Sequence, residues 1–160
     1  MSNDDTEKLG EYAETILEFT GPGPDPIRID LRRPLTAADR AAVARLGLDG
    51  PFAVLTAENP GGEHADEAPT PEAAQARAAS NHRRTARLLD HLEQVGARAV
   101  PVDGVAPGGD HRERCVATPL GLGEAVALAS RFDQVALFWY DGARFWLLPA
   151  NADAAPHSLP

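Results

Sequence analysis

The stretch QVALFWYDGARFWLL, residues 134–148, decides the architecture. Two apolar, β-prone runs, 134–140 and 143–148, flank Asp141-Gly142. Both residue types tolerate the positive φ that a two-residue hairpin turn demands, so the runs are expected as adjacent antiparallel strands. Upstream, residues 51–57 (PFAVLTA) are apolar at successive positions, as a strand covered on both faces would be. That run leads into Glu58-Asn59-Pro60-Gly61-Gly62 and a loop that stays polar to Ala68.

Working outward, Thr70-Pro71 starts a long helix, with proline where its missing N–H costs nothing. Its inward stripe is Leu88, Leu89, Leu92 and Val95, and Gly96 ends it; a break near Ser80-Asn81 is the one interruption considered. Residues 97–102 read as a strand, placed at an edge because Pro101 cannot donate to a ladder. Residues 111–118 form a further strand and 122–132 a helix. Towards the N-terminus, Ile27, Ile29 and Leu31 alternate with polar residues, and Thr36 with Asp39 marks a helix start that Gly47 closes. Leu9, Tyr12, Ala13, Ile16 and Leu17 recur at helical spacing, predicting a helix over 5–19. Helices interspersed among strands, with a closing hairpin, give an α/β or α+β single domain: a mixed sheet with packed helices. The division expected is an acidic helix and Pro/Gly linker over 1–26, the domain over 27–149, and a fraying tail over 150–160.

The chain has 160 residues and a net charge of −9. The acidity is local. Residues 1–26 hold seven acids and one base, and residues 57–72 five acids and no base. This balance argues against nucleic acid and anionic membranes as partners. No apolar run approaches the ~20 residues of a membrane span, and the acidic N-terminus is unlike a signal peptide, so the cytoplasm is the expected address. One cysteine, Cys115, excludes an internal disulfide and a cysteine-built zinc site.

Chemistry-bearing motifs are few. The glycines of 104–109 and 58–62 lack both phosphate-loop and dinucleotide spacing, and no nucleophile elbow exists. His111 and Cys115 lie about 13 Å apart along a strand, too far for direct activation, and the cysteine reads as structural. His82 and His91 are about 13 Å apart along a helix, beyond sharing an ion. His64 with Asp66 and Glu67 reads as a solvated loop. No metal and no cofactor are expected. Asn81, Arg83, Arg84 and Arg87 cluster in one helix region, where a helix beginning at Asn81 would suit an anion and a continuous helix would leave the arginines to solvent or to acids. The richest constellation comes from strand ends: Glu58-Asn59, Asn81, His111, Glu113 and Gln134. It is a site or a buried network fixing loops. Pro60 biases Asn59 towards extended geometry.

At these residues the chain resembles a bacterial family, the domain of unknown function 3293. The resemblance rests on Phe52–Pro60 (FAVLTAENP), Asn81 before a Leu-rich helix, Gly104, the Glu113-x-Cys115 strand and Phe132–Ala136 (FDQVA), and covers roughly residues 50–140. The family pattern carries serine where Cys115 stands, so no nucleophile is implied there. The resemblance implies a fold and a motif set, and no reaction. The function expected is a ligand-binding or regulatory module with Asn59, Asn81, Arg84, Glu113 and Gln134 at the ligand. Two alternatives stand beside it. One is a small hydrolase or transferase on an anionic, nucleotide-like substrate, with Glu113 as general base, His111 as proton shuttle and Arg84 as charge clamp. The other is a protein-interaction domain using the acidic helix. The partner is then a small anionic ligand or a protein, with the oligomeric state open.

Overall fold

A computed structural model describes residues 3–62, 67–150 and 155–160. His64 and Asp66 lie outside the described residues. The elements in chain order are α1 (Asn3–Ala13), β1 (Ile16–Phe19), β2 (Ile27–Asp30), α2 (Ala37–Ala44), β3 (Phe52–Thr56), α3 (Pro71–Gln94), β4 (Val100–Val105), β5 (Arg112–Thr118), α4 (Leu122–Arg131), β6 (Ala136–Tyr140), β7 (Phe145–Pro149) and β8 (His157–Ser158). The strands form one curled sheet in the order β2-β1-β4-β5-β3-β6-β7-β8. The fold class is as read from the sequence, and the ladder is more uniform than a mixed sheet: all seven neighbouring pairs are antiparallel.

Each face of the sheet is buried by helices, which is why residues 52–55 are apolar without alternation. Phe52 and Val54 pack with Leu17, Phe19, Val102 and Leu9 of α1 on one face. Ala53 and Leu55 pack with Leu88 and Leu92 of α3 and Ala125, Leu128 and Ala129 of α4 on the other. The caps follow the sequence. Thr36 Oγ accepts from the Asp39 amide at 3.1 Å, and Asp39 accepts from the Thr36 amide at 2.9 Å. Thr70 Oγ caps α3 through the Ala73 amide at 3.1 Å, and Pro71 opens the helix.

Several local expectations are corrected. The helix predicted over 5–19 stops at Ala13, and residues 16–19 form β1, a strand paired on both edges. Leu17 and Phe19 are fully buried there, and the two ladders outweigh the helical spacing of the apolar residues. The Pro/Gly segment 21–26 therefore joins two paired strands. Helix α3 runs unbroken through Ser80-Asn81, and its inward stripe is narrower than expected: Leu88 and Leu92 are buried, whereas Leu89 is 44% and Val95 55% exposed.

Pro101 stands in an interior strand, since β4 lies between β1 and β5. Its carbonyl accepts the Thr20 amide at 3.0 Å, just past the end of β1. In an antiparallel ladder a residue's N–H and C=O point the same way, so the missing N–H falls where that neighbour ends. The hairpin turn is displaced by one residue from the expected Asp141-Gly142: Tyr140 pairs with Phe145, and the Asp141 amide donates to the Arg144 carbonyl at 3.1 Å, which leaves Gly142-Ala143 at the tip. Asp141 caps it, its carboxylate accepting from the amides of Ala143 (2.8 Å) and Arg144 (2.9 Å) and from the Trp146 indole (2.7 Å). Finally, the end of the expected tail is tied down: β8 pairs with β7, and Leu159 is buried.

Candidate functional site

The bend after β3 builds the site. Thr56 Oγ accepts from the Glu58 amide at 3.0 Å and donates to the Arg114 carbonyl at 2.9 Å, turning the chain as it leaves the sheet. Asn59 then adopts a left-handed conformation, φ +48°, and not the extended one expected before Pro60. Asparagine tolerates this region better than other non-glycine residues. Asn81 holds it there, accepting the Asn59 backbone amide at 2.8 Å and donating its own side-chain amide to Asn59 Oδ1 at 2.8 Å.

With its oxygen and backbone committed, Asn59 has one direction left for its side-chain N–H. It donates to Glu113 Oε1 at 2.7 Å. Asn59, Asn81 and Glu113 are all buried. No ion pair reaches Glu113 among the described residues; the adjacent arginine, Arg114, is committed to Glu58, with Nε at 2.9 Å and its backbone amide at 3.2 Å from that carboxylate. Burial pushes the Glu113 carboxyl up to about 7, and the nearby Glu58 charge adds to this while the Asn59 hydrogen bond opposes it.

Glu113 is nevertheless part of a cleft wall. The cleft, of about 680 Å³, lies between α1 and the β4–β5 hairpin. Tyr12, His111, Cys115 and Phe138 line it beside Glu113, and Glu7, Glu11, Glu14 and Asp110 add acidic groups. Burial, and then the charge of Glu113, raises the Tyr12 phenol and the Cys115 thiol well above their ordinary values. Cys115 is thus a poor thiolate former, and its Sγ contacts the Glu113 carbonyl at 3.7 Å.

The remaining sequence candidates fall elsewhere. Gln134 is buried and donates to the carbonyls of Glu58 (2.8 Å) and Phe132 (3.2 Å), bracing the bend from behind. Arg84 donates to the carbonyls of Ala57 (2.7 Å) and Phe132, and meets the Asp133 carboxylate at 3.4 Å. It lines a separate cleft between α3 and α4. Five residues nominated as ligand contacts thus divide by position: Glu113 at the cleft, Asn59 touching it, Asn81 and Gln134 behind, Arg84 apart. His111 shares the Glu113 cleft and Arg84 does not. The continuous α3 also removes the free amides imagined at Asn81.

Tyr12 is the site residue that sequence reasoning placed only on an apolar helix face; its meeting with Glu113 depends on how α1 lies across the sheet, which no local pattern encodes. Among the described residues no three of His, Cys, Asp and Glu gather as metal ligands, and no helix is long and apolar enough to cross a membrane. A family model described as "Protein of unknown function (DUF3293)" matches residues 55–137, from β3 into β6. No curated protein and no solved structure matches the chain.

Proposed function

The chain belongs to the DUF3293 family, and from the site just described we propose that it is a small-molecule binding module whose cleft beneath α1 takes an amine-bearing ligand at Glu113. One observation carries this: a buried carboxyl, reached by no ion pair among the described residues, is held at a cleft wall by an amide that is itself fixed by Asn81. Burying a carboxyl without a cation is costly, and an apolar side chain would serve a purely structural wall better. A ligand ammonium group would supply the missing countercharge. The cleft volume suits a small metabolite, and the lining acids Glu7, Glu11, Glu14, Glu67 and Asp110 outnumber Lys8 and His111, favouring a cation over the anion expected from the sequence.

A second reading has one observation of its own. A carboxyl near neutrality can give and take a proton at ambient pH, and His111 lines the same cleft, so proton-transfer chemistry at Glu113 is the enzymatic alternative.

The test is metabolite retention. Wild-type protein and Glu113→Gln are exposed to a cell extract at pH 8, washed and analysed by mass spectrometry. Amine-bearing compounds held by the wild type and lost from the variant support binding at Glu113. Recovery of the same compounds from both proteins, or of none from either, overturns it. Turnover of a retained compound by the wild type alone selects the enzymatic alternative.

A further inference from the structure

The cleft between α3 and α4 has the opposite character. It measures about 410 Å³ and is lined by Arg84, Arg87, Asp90, His91, Arg131 and Phe132. Arg84, Arg87 and His91 stand at i, i+3 and i+7 on α3, one face of the helix, and Arg131 closes the wall from the last turn of α4. Three guanidinium groups border one concavity in a chain whose net charge is −9.

The arginines differ in how they are held. Arg84 is anchored, with Nε and one amino group on the Ala57 and Phe132 carbonyls and its carbon 5.8 Å from the centre of the Phe132 ring. Its other amino group makes no hydrogen bond among the described residues. Arg87 and Arg131 make neither a hydrogen bond nor an ion pair among the described residues, although acids outnumber bases in the chain. Complementing the helix dipoles accounts for basic groups in a last turn, such as His91 and Arg131. It does not account for Arg87, two turns before the end of α3. Asp90 is the one carboxylate in the lining, and Asp133 is already opposite Arg84.

We infer that this cleft is an oxyanion-binding site, in which the anchored Arg84 guanidinium and the unspent Arg87 and Arg131 receive a phosphate or carboxylate group. Arg87 and Arg131 can each donate two parallel N–H bonds to such planar or tetrahedral acceptors, and Arg84 adds its one uncommitted amino group. The site is independent of the Glu113 cleft, so it stands or falls separately from the binding function proposed there. Its ligand is anionic where the other cleft selects a cation.

The experiment is a two-dimensional NMR titration of the whole protein with inorganic phosphate and, separately, with succinate, each against sodium chloride of equal ionic strength. Saturable shifts confined to residues 84–94 and 130–133, absent with chloride, support the site, and whichever probe saturates identifies the oxyanion class. Arg87→Gln and Arg131→Gln should each weaken that probe about tenfold, the loss of one charge-assisted hydrogen bond. Arg83→Gln removes the same charge from an exposed position of α3 outside the cleft and should leave binding unchanged. Equal weakening by Arg83→Gln would mean that diffuse charge alone attracts the anion and would overturn the site. So would shifts that never saturate with either probe.

Discussion

Replacing Glu113 by glutamine should flatten the pH dependence of stability. The carboxyl of the folded protein is raised from its ordinary 4.5 to about 7. Below pH 4.5 it is protonated in both the folded and unfolded chains and costs nothing extra. Between these values the unfolded chain ionises first, so the folded state binds more protons and loses stability as pH rises. Above 7 both states are ionised and the whole cost of the buried charge remains. The span corresponds to about 3 kcal/mol. With a urea slope of about 2 kcal/mol per molar, the wild-type midpoint should fall about 1.5 M between pH 4.5 and 8 from this group alone. Glutamine keeps a carbonyl to accept the Asn59 amide but cannot ionise. Subtracting the variant's midpoints from the wild type's removes every contribution that the two proteins share. Urea melts at half-unit pH intervals supply the two curves. Parallel curves for the two proteins would show that Glu113 ionises freely, and the account of a desolvated carboxyl at the cleft wall would be wrong.

Asn59→Ala should strand Glu113 Oε1 and the Asn81 amide, at about 1–3 kcal/mol each, and add left-handed backbone strain. Asn59→Gly strands the same groups without that strain, so chemical denaturation should find it the milder of the two; equal losses would remove strain from the explanation. Leu88→Ala should cost about 2–5 kcal/mol, whereas Leu89→Ala, one residue on and 44% exposed, should cost under about 1 kcal/mol. A comparable loss at both positions would contradict the burial described for α3. Thr118 Oγ is buried without a hydrogen-bond partner among the described residues, so Thr118→Val should raise stability by about 1 kcal/mol. A lower melting temperature for that variant would reveal a partner that the hydroxyl serves.

The sequence by itself determined the elements whose signals are local. Thr36 with Asp39 and Thr70 with Pro71 start helices where they stand, because a cap is satisfied within one turn of chain. The run over 52–57 declared a strand covered on both faces, and the paired apolar runs of 134–148 declared adjacent strands. The gathering of Asn59, Asn81 and Glu113 at one end of the sheet was legible from polar residues placed at strand ends.

Only the tertiary structure decided what depends on distant partners. Residues 16–19 became strand because β2 and β4 flank them, an energy that helical spacing cannot register. Pro101 entered an interior strand because β1 stops beside it. Leu89 and Leu88 are identical in type and adjacent in chain, and the angle at which α3 meets the sheet exposes one and buries the other. The same holds at the site. Glu113, from a strand, and Arg84, from a helix, are both expected at one ligand, yet Arg84 lines the α3–α4 cleft and Glu113 faces the cleft beneath α1. Burial, charge and the direction of a side chain are properties of the folded surroundings, and no window of sequence contains them.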